Sequence, residues 1–403
     1  MKPQFINFIP LVLSILFSLI IIEIVLTILD YPPARIVKYD ACCGVALSPN
    51  TEGLFKGESE QYIVINSHGL RDIEHTYNKP SNTYRIAILG DSFSEARQVS
   101  IEQTFWKYIE SELTKCESFS DKNIEVINFG VSGYGTDQEY ETLRYKVWKY
   151  DPDMVITAFF TGNDIRNNVM ELEGDINKPY YIFQSSNNKH MMLDDSFKER
   201  KIFKFMTSSA GNTINWLLKN FYIIRLLNNI RKSGIDSIIV NSSDVDLNKN
   251  IVGELGLANE IYKKPINMQW ENAWNITEQL IKKTKKEVER HGAEYFLVTL
   301  STGIQVHPDI SKKKKFSNKI AVGDLFYPDY RLSEFSSIND INHIMTAPYL
   351  SRWSQDNQIC LHGFDNSYIC EGHWNEVGHK VAGKYISSKI CQLSNNKTSE
   401  LLH

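Results

Sequence analysis

Tyr84-Arg-Ile-Ala-Ile-Leu89, followed directly by Gly90-Asp91-Ser92-Phe93, is the stretch on which the fold turns. A short, largely apolar run ended by glycine reads as a strand buried on both faces. The same punctuation recurs downstream. Ile124-Glu-Val-Ile-Asn-Phe129 stops at Gly130, Met154 to Phe160 runs into Thr161-Gly162-Asn163-Asp164, and Ala293 to Leu300 forms a fourth such run. Between them Phe105 to Leu113, Thr136 to Trp148 and Trp270 to His291 carry helical spacing, the last with Gly292 as its cap. Strands alternating with helices predict an α/β fold, three-layered α/β/α around a central parallel sheet.

Four strand ends carry residues that can do chemistry. Ser92, between a buried strand and a helix start, stands at the carboxyl edge of the sheet, where open α/β folds bind ligands. Taken alone, Gly-Asp-Ser is more often a plain turn with a helix N-cap. Asn128-Phe-Gly130-Val-Ser-Gly133-Tyr-Gly135 offers backbone N–H groups able to point into a site, although an ordinary tight turn uses the same glycines. Asn163 can donate to a developing oxyanion, or it can bond its own backbone in a turn. His373, in Gly372-His373-Trp374-Asn375, opens the last helix (Glu376 to about Leu393) and comes to the same edge.

Gly-Asp-Ser, a strand-end glycine, Gly-Asn-Asp and a C-terminal histidine, in that order, resemble the four blocks of the SGNH (GDSL-like) hydrolases over roughly residues 85 to 170 and 266 to 393. The resemblance implies an SGNH/flavodoxin-like fold with Ser92 as nucleophile and His373 as general base. It implies an oxyanion hole from the backbone N–H groups of Ser92 and Gly133 and the side chain of Asn163. The chemistry would be acyl transfer through an acyl-enzyme, with no cofactor and no metal. One position departs from the pattern: the aspartate usual three residues before the histidine is Cys370 here. Glu371 is the nearest carboxylate and the expected third member; alternation along an extended segment would put it on the same side as His373. Asp365 and a backbone carbonyl are the alternatives.

The N-terminus is of another kind. Phe8 to Ile22 holds no charge, and Ile24 to Leu29 extends the apolar run past Glu23, together about the roughly 20 residues that span a bilayer. The exit Leu29-Asp30-Tyr31-Pro32-Pro33 lacks a small-residue cleavage site, so residues 1–30 are expected to be an uncleaved signal anchor. Lys2 favours an inside N-terminus against Arg35 and Lys38 beyond the span, which puts the rest of the chain outside the cytoplasm. Residues 31–83 read as a stalk and irregular cap, and 84–395 as the catalytic domain. Insertions are expected at about 171–265 and 301–345, a helix over Ile214 to Leu227, and a tail over 396–403. Lys312 to Lys315 read as a solvated loop. A net charge of −4 gives no reason to expect nucleic acid. Six cysteines without a Cys-x-x-Cys pair argue against zinc, and Cys360 and Cys370 are placed to bridge a short loop or to remain thiols. An anchored, outward domain suggests acylated glycans of the envelope as substrate. Lipid esters, or a degenerate domain serving as a scaffold, are the other readings.

Overall fold

The structure, a computed structural model, describes residues 8–32, 36–184, 190–240 and 257–401. Lys2, Arg35 and parts of the expected insertion and tail lie outside the described residues. After helix α1 (Phe8–Ile28) come two antiparallel hairpins, β1 (Val37–Asp40) with β2 (Gly44–Leu47) and β3 (Thr51–Lys56) with β4 (Glu60–Ile65). The core begins with β5 (Thr83–Gly90), the helical turn α2 (Ser92–Glu95), α3 (Phe105–Leu113), β6 (Asn123–Asn128), α4 (Thr136–Tyr145) and β7 (Met154–Phe160). Two helical turns, α5 (Asp164–Asn167) and α6 (Met170–Glu173), lead into an insertion. It consists of hairpin β8 (Tyr180–Phe183) and β9 (Met191–Asp194), then α7 (Lys201–Thr207), α8 (Ser209–Asn220) and α9 (Tyr222–Val240). The core resumes with α10 (Met268–Arg290), β10 (Glu294–Leu300), α11 (Ile310–Lys319), α12 (Tyr327–Ile338), β11 (Asn342–Met345), α13 (Ala347–Asn357) and α14 (Glu376–Leu401).

The central sheet is parallel throughout, in the order β11-β10-β7-β5-β6. The first core strand therefore lies between the second and the third. Strand order reverses between β5 and β7, which opens a crevice at their carboxyl ends. Alternation sorts the side chains into two layers. Ala87, Leu89, Val155 and Phe159 pack with α4, α10 and α12, while Ile86, Ile88, Ile156 and Phe160 pack with α3, α13 and α14. The three-layer α/β/α architecture expected from the sequence is what these two cores enclose.

Several expectations change. The stretch read as a stalk is folded: Cys43, Leu47, Ile63 and Ile65 of the two hairpins pack on Val131 and Tyr134 in the loop after β6. The stretch expected as an insertion, about 301–345, contains α11, α12 and a fifth core strand, β11. Lys312 to Lys315 are helical, because Asp309 accepts a hydrogen bond from Ser311 N at 2.7 Å and starts α11. The helix expected over Ile214 to Leu227 is broken at Phe221 into α8 and α9. All six cysteines are paired, Cys42 with Cys43, Cys116 with Cys391 and Cys360 with Cys370.

The loop before β5 is pinned to the sheet edge by charge. His75 lies 3.2 Å from Asp72 and 2.6 Å from Glu125 of β6, and Arg85 of β5 reaches the same Glu125 at 2.7 Å. Burial disfavours the imidazolium, but Asp72 and Glu125 outweigh it and raise His75 to about 9. With a folded value above the unfolded one, this stabilisation is complete below about 6.5 and lost as pH rises through about 9, an effect of up to about 3 kcal/mol. Thermal midpoints should therefore fall from pH 6 to pH 9.5 in the wild type, and His75→Gln should flatten that slope. An unchanged slope in the variant would remove His75 as its source.

Candidate active site

Ser92 is presented by a turn that tolerates little else. A Cβ on Gly90 would stand 2.2 Å from Ser94 Oγ, so the strand can end only in glycine there. Asp91 then caps α2, its Oδ1 accepting from Phe93 N at 2.9 Å. Asp91 is fully buried and its carboxyl is pushed up by that burial, against the opposing Phe93 N–H and His373. Ser92 itself remains half-exposed at the mouth of the β5/β7 crevice.

His373 meets it from the other end of the chain. Ser92 Oγ donates to His373 Nε2 at 2.8 Å. The opposite ring nitrogen, Nδ1, donates at 2.9 Å to Glu58 Oε1, and the backbone N–H of His373 donates at 3.1 Å to Glu58 Oε2. One carboxylate thus fixes both the ring tautomer and the backbone that carries the ring. Burial would raise Glu58, but the hydrogen bonds and charge of His373 prevail and hold it below the usual carboxylate range. It is therefore ionised at neutral pH.

Glu58 sits in the tip of the β3–β4 hairpin, between Lys56 and Glu60. The sequence reading placed the acid at Glu371, and the backbone explains why it is elsewhere. Cys370 (φ 70°) and Gly372 (φ 76°) are both left-handed, so the segment is not extended and alternation does not carry Glu371 to the face of His373. No hydrogen bond joins the Glu371 carboxylate to His373. Asp365 is exposed on the preceding turn, and no backbone carbonyl occupies Nδ1. Gly372 is what admits Glu58: a Cβ there would lie 2.9 Å from Glu58 Oε1. Gly57, Glu58, Asn366, Ser367, Tyr368, Glu371 and Gly372 line an open cavity of about 320 Å³ beside this contact.

A buried relay holds the histidine segment from behind. Trp374 Nε1 donates to Ser301 Oγ at 3.0 Å, Ser301 Oγ lies 3.1 Å from His362 Nε2, and His362 Nδ1 donates to Gly372 O at 2.6 Å. Burial pushes His362 down to about 3, which keeps it neutral and able to serve as donor on one side and acceptor on the other.

The residues expected to receive an oxyanion come to the same edge. Gly133 has φ 83°, and a Cβ there would meet nothing, so conformation alone calls for glycine. Its loop is held by buried Glu95, whose Oε2 accepts from Ser132 N at 2.6 Å and whose other oxygen binds Arg97. Asn163, at the end of β7, sets its side chain beside the Asp91 carboxyl, with its Oδ1 buried and unpaired. Ser92 and His373 are thus in contact, Asn163 lies beside the neighbouring Asp91, the loop carrying Gly133 is tied to Gly90 and Glu95, and Glu371 lines the adjacent cavity without a hydrogen bond to His373. As for metal, Asp40, Cys42 and Cys43 bring three ligand atoms within 4.8 Å, but the two sulfurs are bonded to each other.

No protein-family model and no curated protein sequence matches this chain. Solved structures do resemble it. An acetyl xylan esterase, AlAXEase, is 11% identical with a TM-score of 0.38, covering 75% of this chain and 98% of its own. A lipase/acylhydrolase from Enterococcus faecalis is 12% identical with a TM-score of 0.34, covering 77% and 96%. A two-domain esterase active on acetylated mannans is 11% identical with a TM-score of 0.36, covering 78% of this chain and 50% of its own. The likeness is distant.

Two substitutions separate the carboxylates. On a small activated acetyl ester, Glu58→Gln should cut turnover by about 10⁴-fold, as loss of the orienting carboxylate does in serine triads. Glu371→Gln should stay within a few-fold of wild type, and the reverse ranking would return the role to Glu371. Asn163→Ala should lower turnover by about 10²-fold with folding intact. Near-normal turnover in that folded variant would exclude Asn163 from the site.

Proposed function

We propose that this chain is a serine-dependent acyl-ester hydrolase or acyltransferase acting outside the cytoplasm, with residues 84–395 as the catalytic domain, completed by Glu58 of the β3–β4 hairpin. The observation that carries this reading is the unbroken chain Ser92 Oγ, His373, Glu58, with contacts of 2.8 and 2.9 Å. Glu58 holds Nδ1–H in place, so Nε2 is free to take the Ser92 proton as Oγ attacks an ester carbonyl. Charge building on the carbonyl oxygen is met by the N–H groups of Ser92 and Gly133 and by the Asn163 amide. His373 then returns the proton to the leaving alcohol, and water or an acceptor hydroxyl releases the acyl group. The intact relay favours an enzyme over a degenerate scaffold.

The proposed substrate class and location rest on α1, the disulfides and the cavity beside Glu58. α1 is long and apolar enough to cross a membrane, with only 6% of its most apolar window buried. Three paired disulfides suit an oxidising compartment. A membrane-tethered domain facing outward meets envelope or exported glycans, and their O-acetyl groups are the proposed esters. Asn366, Ser367 and Tyr368 line the cavity beside Glu58 and offer an amide and two hydroxyls to a hydroxyl-rich carrier.

Incubation of the full-length protein with a small activated acetyl ester, followed by peptide mapping, tests the reading. Acetyl should be trapped on Ser92 and absent from Ser92→Ala. A folded wild type that takes no label and shows no turnover would overturn the enzymatic assignment.

A further inference from the structure

The only charged side chain within α1 is Glu23, and it is not left to the bilayer. Its Oε1 accepts from Tyr222 N at 2.7 Å and its Oε2 from Ile223 N at 2.9 Å, so it caps the first turn of α9 from another helix. α9 packs against α1 at this contact. Further bonds fasten the same elbow. Tyr222 Oη donates to Asp30 at 2.8 Å, and Arg225, stacked 4.1 Å from the Tyr222 ring, donates to Pro32 O at 3.2 Å. A carboxylate inside a span is costly unless paired, and the positive end of a helix is a fitting partner.

The insertion around this elbow leaves large apolar side chains uncovered. In α9, Ile223, Leu227 and Ile230 fall at i, i+4 and i+7 on one face, and Leu227 and Ile230 are 59% and 60% exposed. Trp216 of α8 and Phe221 at the break are exposed as well, and Arg231 flanks the stripe. Glu23 stands five residues before the end of α1, about 8 Å along the axis, which matches the roughly 5–10 Å at which amphipathic helices settle into a bilayer boundary.

We propose that α8 and α9 lie in the surface of the same bilayer that α1 crosses, with the Ile223–Leu227–Ile230 stripe against the acyl chains and Glu23 fixing the depth of α9. The inference rests on α1 being a retained span, and its occupant is lipid, continuous with the lipid around α1.

Photo-crosslinking benzoylphenylalanine placed at Leu227, at Ile230 and, as a control, at the exposed Ile338 tests it in full-length protein. The protein is reconstituted in phosphatidylcholine–phosphatidylglycerol vesicles, and adducts are read by mass spectrometry. Lipid adducts at 227 and 230 should exceed those at 338 several-fold, and Glu23→Ala should lower the yield at 227. Full-length protein held in the vesicles with no lipid adduct at 227 and 230, or with adducts to a second protein chain instead, would overturn the inference and leave α1 as a span. Intact mass supplies the other arm. A mature chain beginning near Tyr31 and free in solution would remove both the span and the docking, while catalysis by Ser92 would stand.

Discussion

The two oxygens of Glu58 govern how the rest of the site is arranged. One holds the imidazole and the other holds the backbone that carries it, so ring orientation and loop position are set by a single group. The grip requires a glycine at 372, because any side chain would occupy the carboxylate's place. It requires the β3–β4 hairpin to be packed against the loop after β6, which the apolar cluster of Cys43, Ile63, Ile65, Val131 and Tyr134 achieves. It also requires the histidine segment to be held from behind, a task performed by the neutral His362 between Ser301 and Gly372. Each of these features lies outside the sheet, and each bears on whether Nε2 faces Ser92.

What the sequence made legible divides along physical lines. The four long core strands were readable because strands buried on both faces are continuous apolar runs, and β5, β7 and β10 are such runs. The Ser92–His373 pair could be singled out because Ser92 opens α2 directly after β5 and His373 stands just before α14, where local punctuation marks both. β11 has only four residues and is half polar, so nothing set it apart from the loop before it.

Glu58 could not be found in this way. It is separated from His373 by 315 positions, and the contact exists only because two hairpins fold back over the sheet edge. An acid two residues before the histidine reaches it only from an extended backbone, which the left-handed Cys370 and Gly372 abolish. The alternation of Glu60-Gln-Tyr-Ile-Val-Ile65 opposite Thr51–Lys56 was a usable sign of a hairpin with an acidic tip. It would have predicted the hairpin without predicting what its tip touches.

The same hairpin is tied through β3 to the exit of α1, where Asp30 Oδ2 accepts from Leu54 N at 3.3 Å. Leu54 and Glu58 are four residues apart, a span of at most about 14 Å of extended chain. On the proposed topology this makes the segment a short ruler between the exit of α1 and the carboxylate behind His373, about half the roughly 30 Å thickness of a hydrocarbon core. On the proposed function, catalysis would be confined to a thin layer just above the lipid. A polymer would be modified there as it passes, segment by segment, and a chain already grown away from the surface would be out of range.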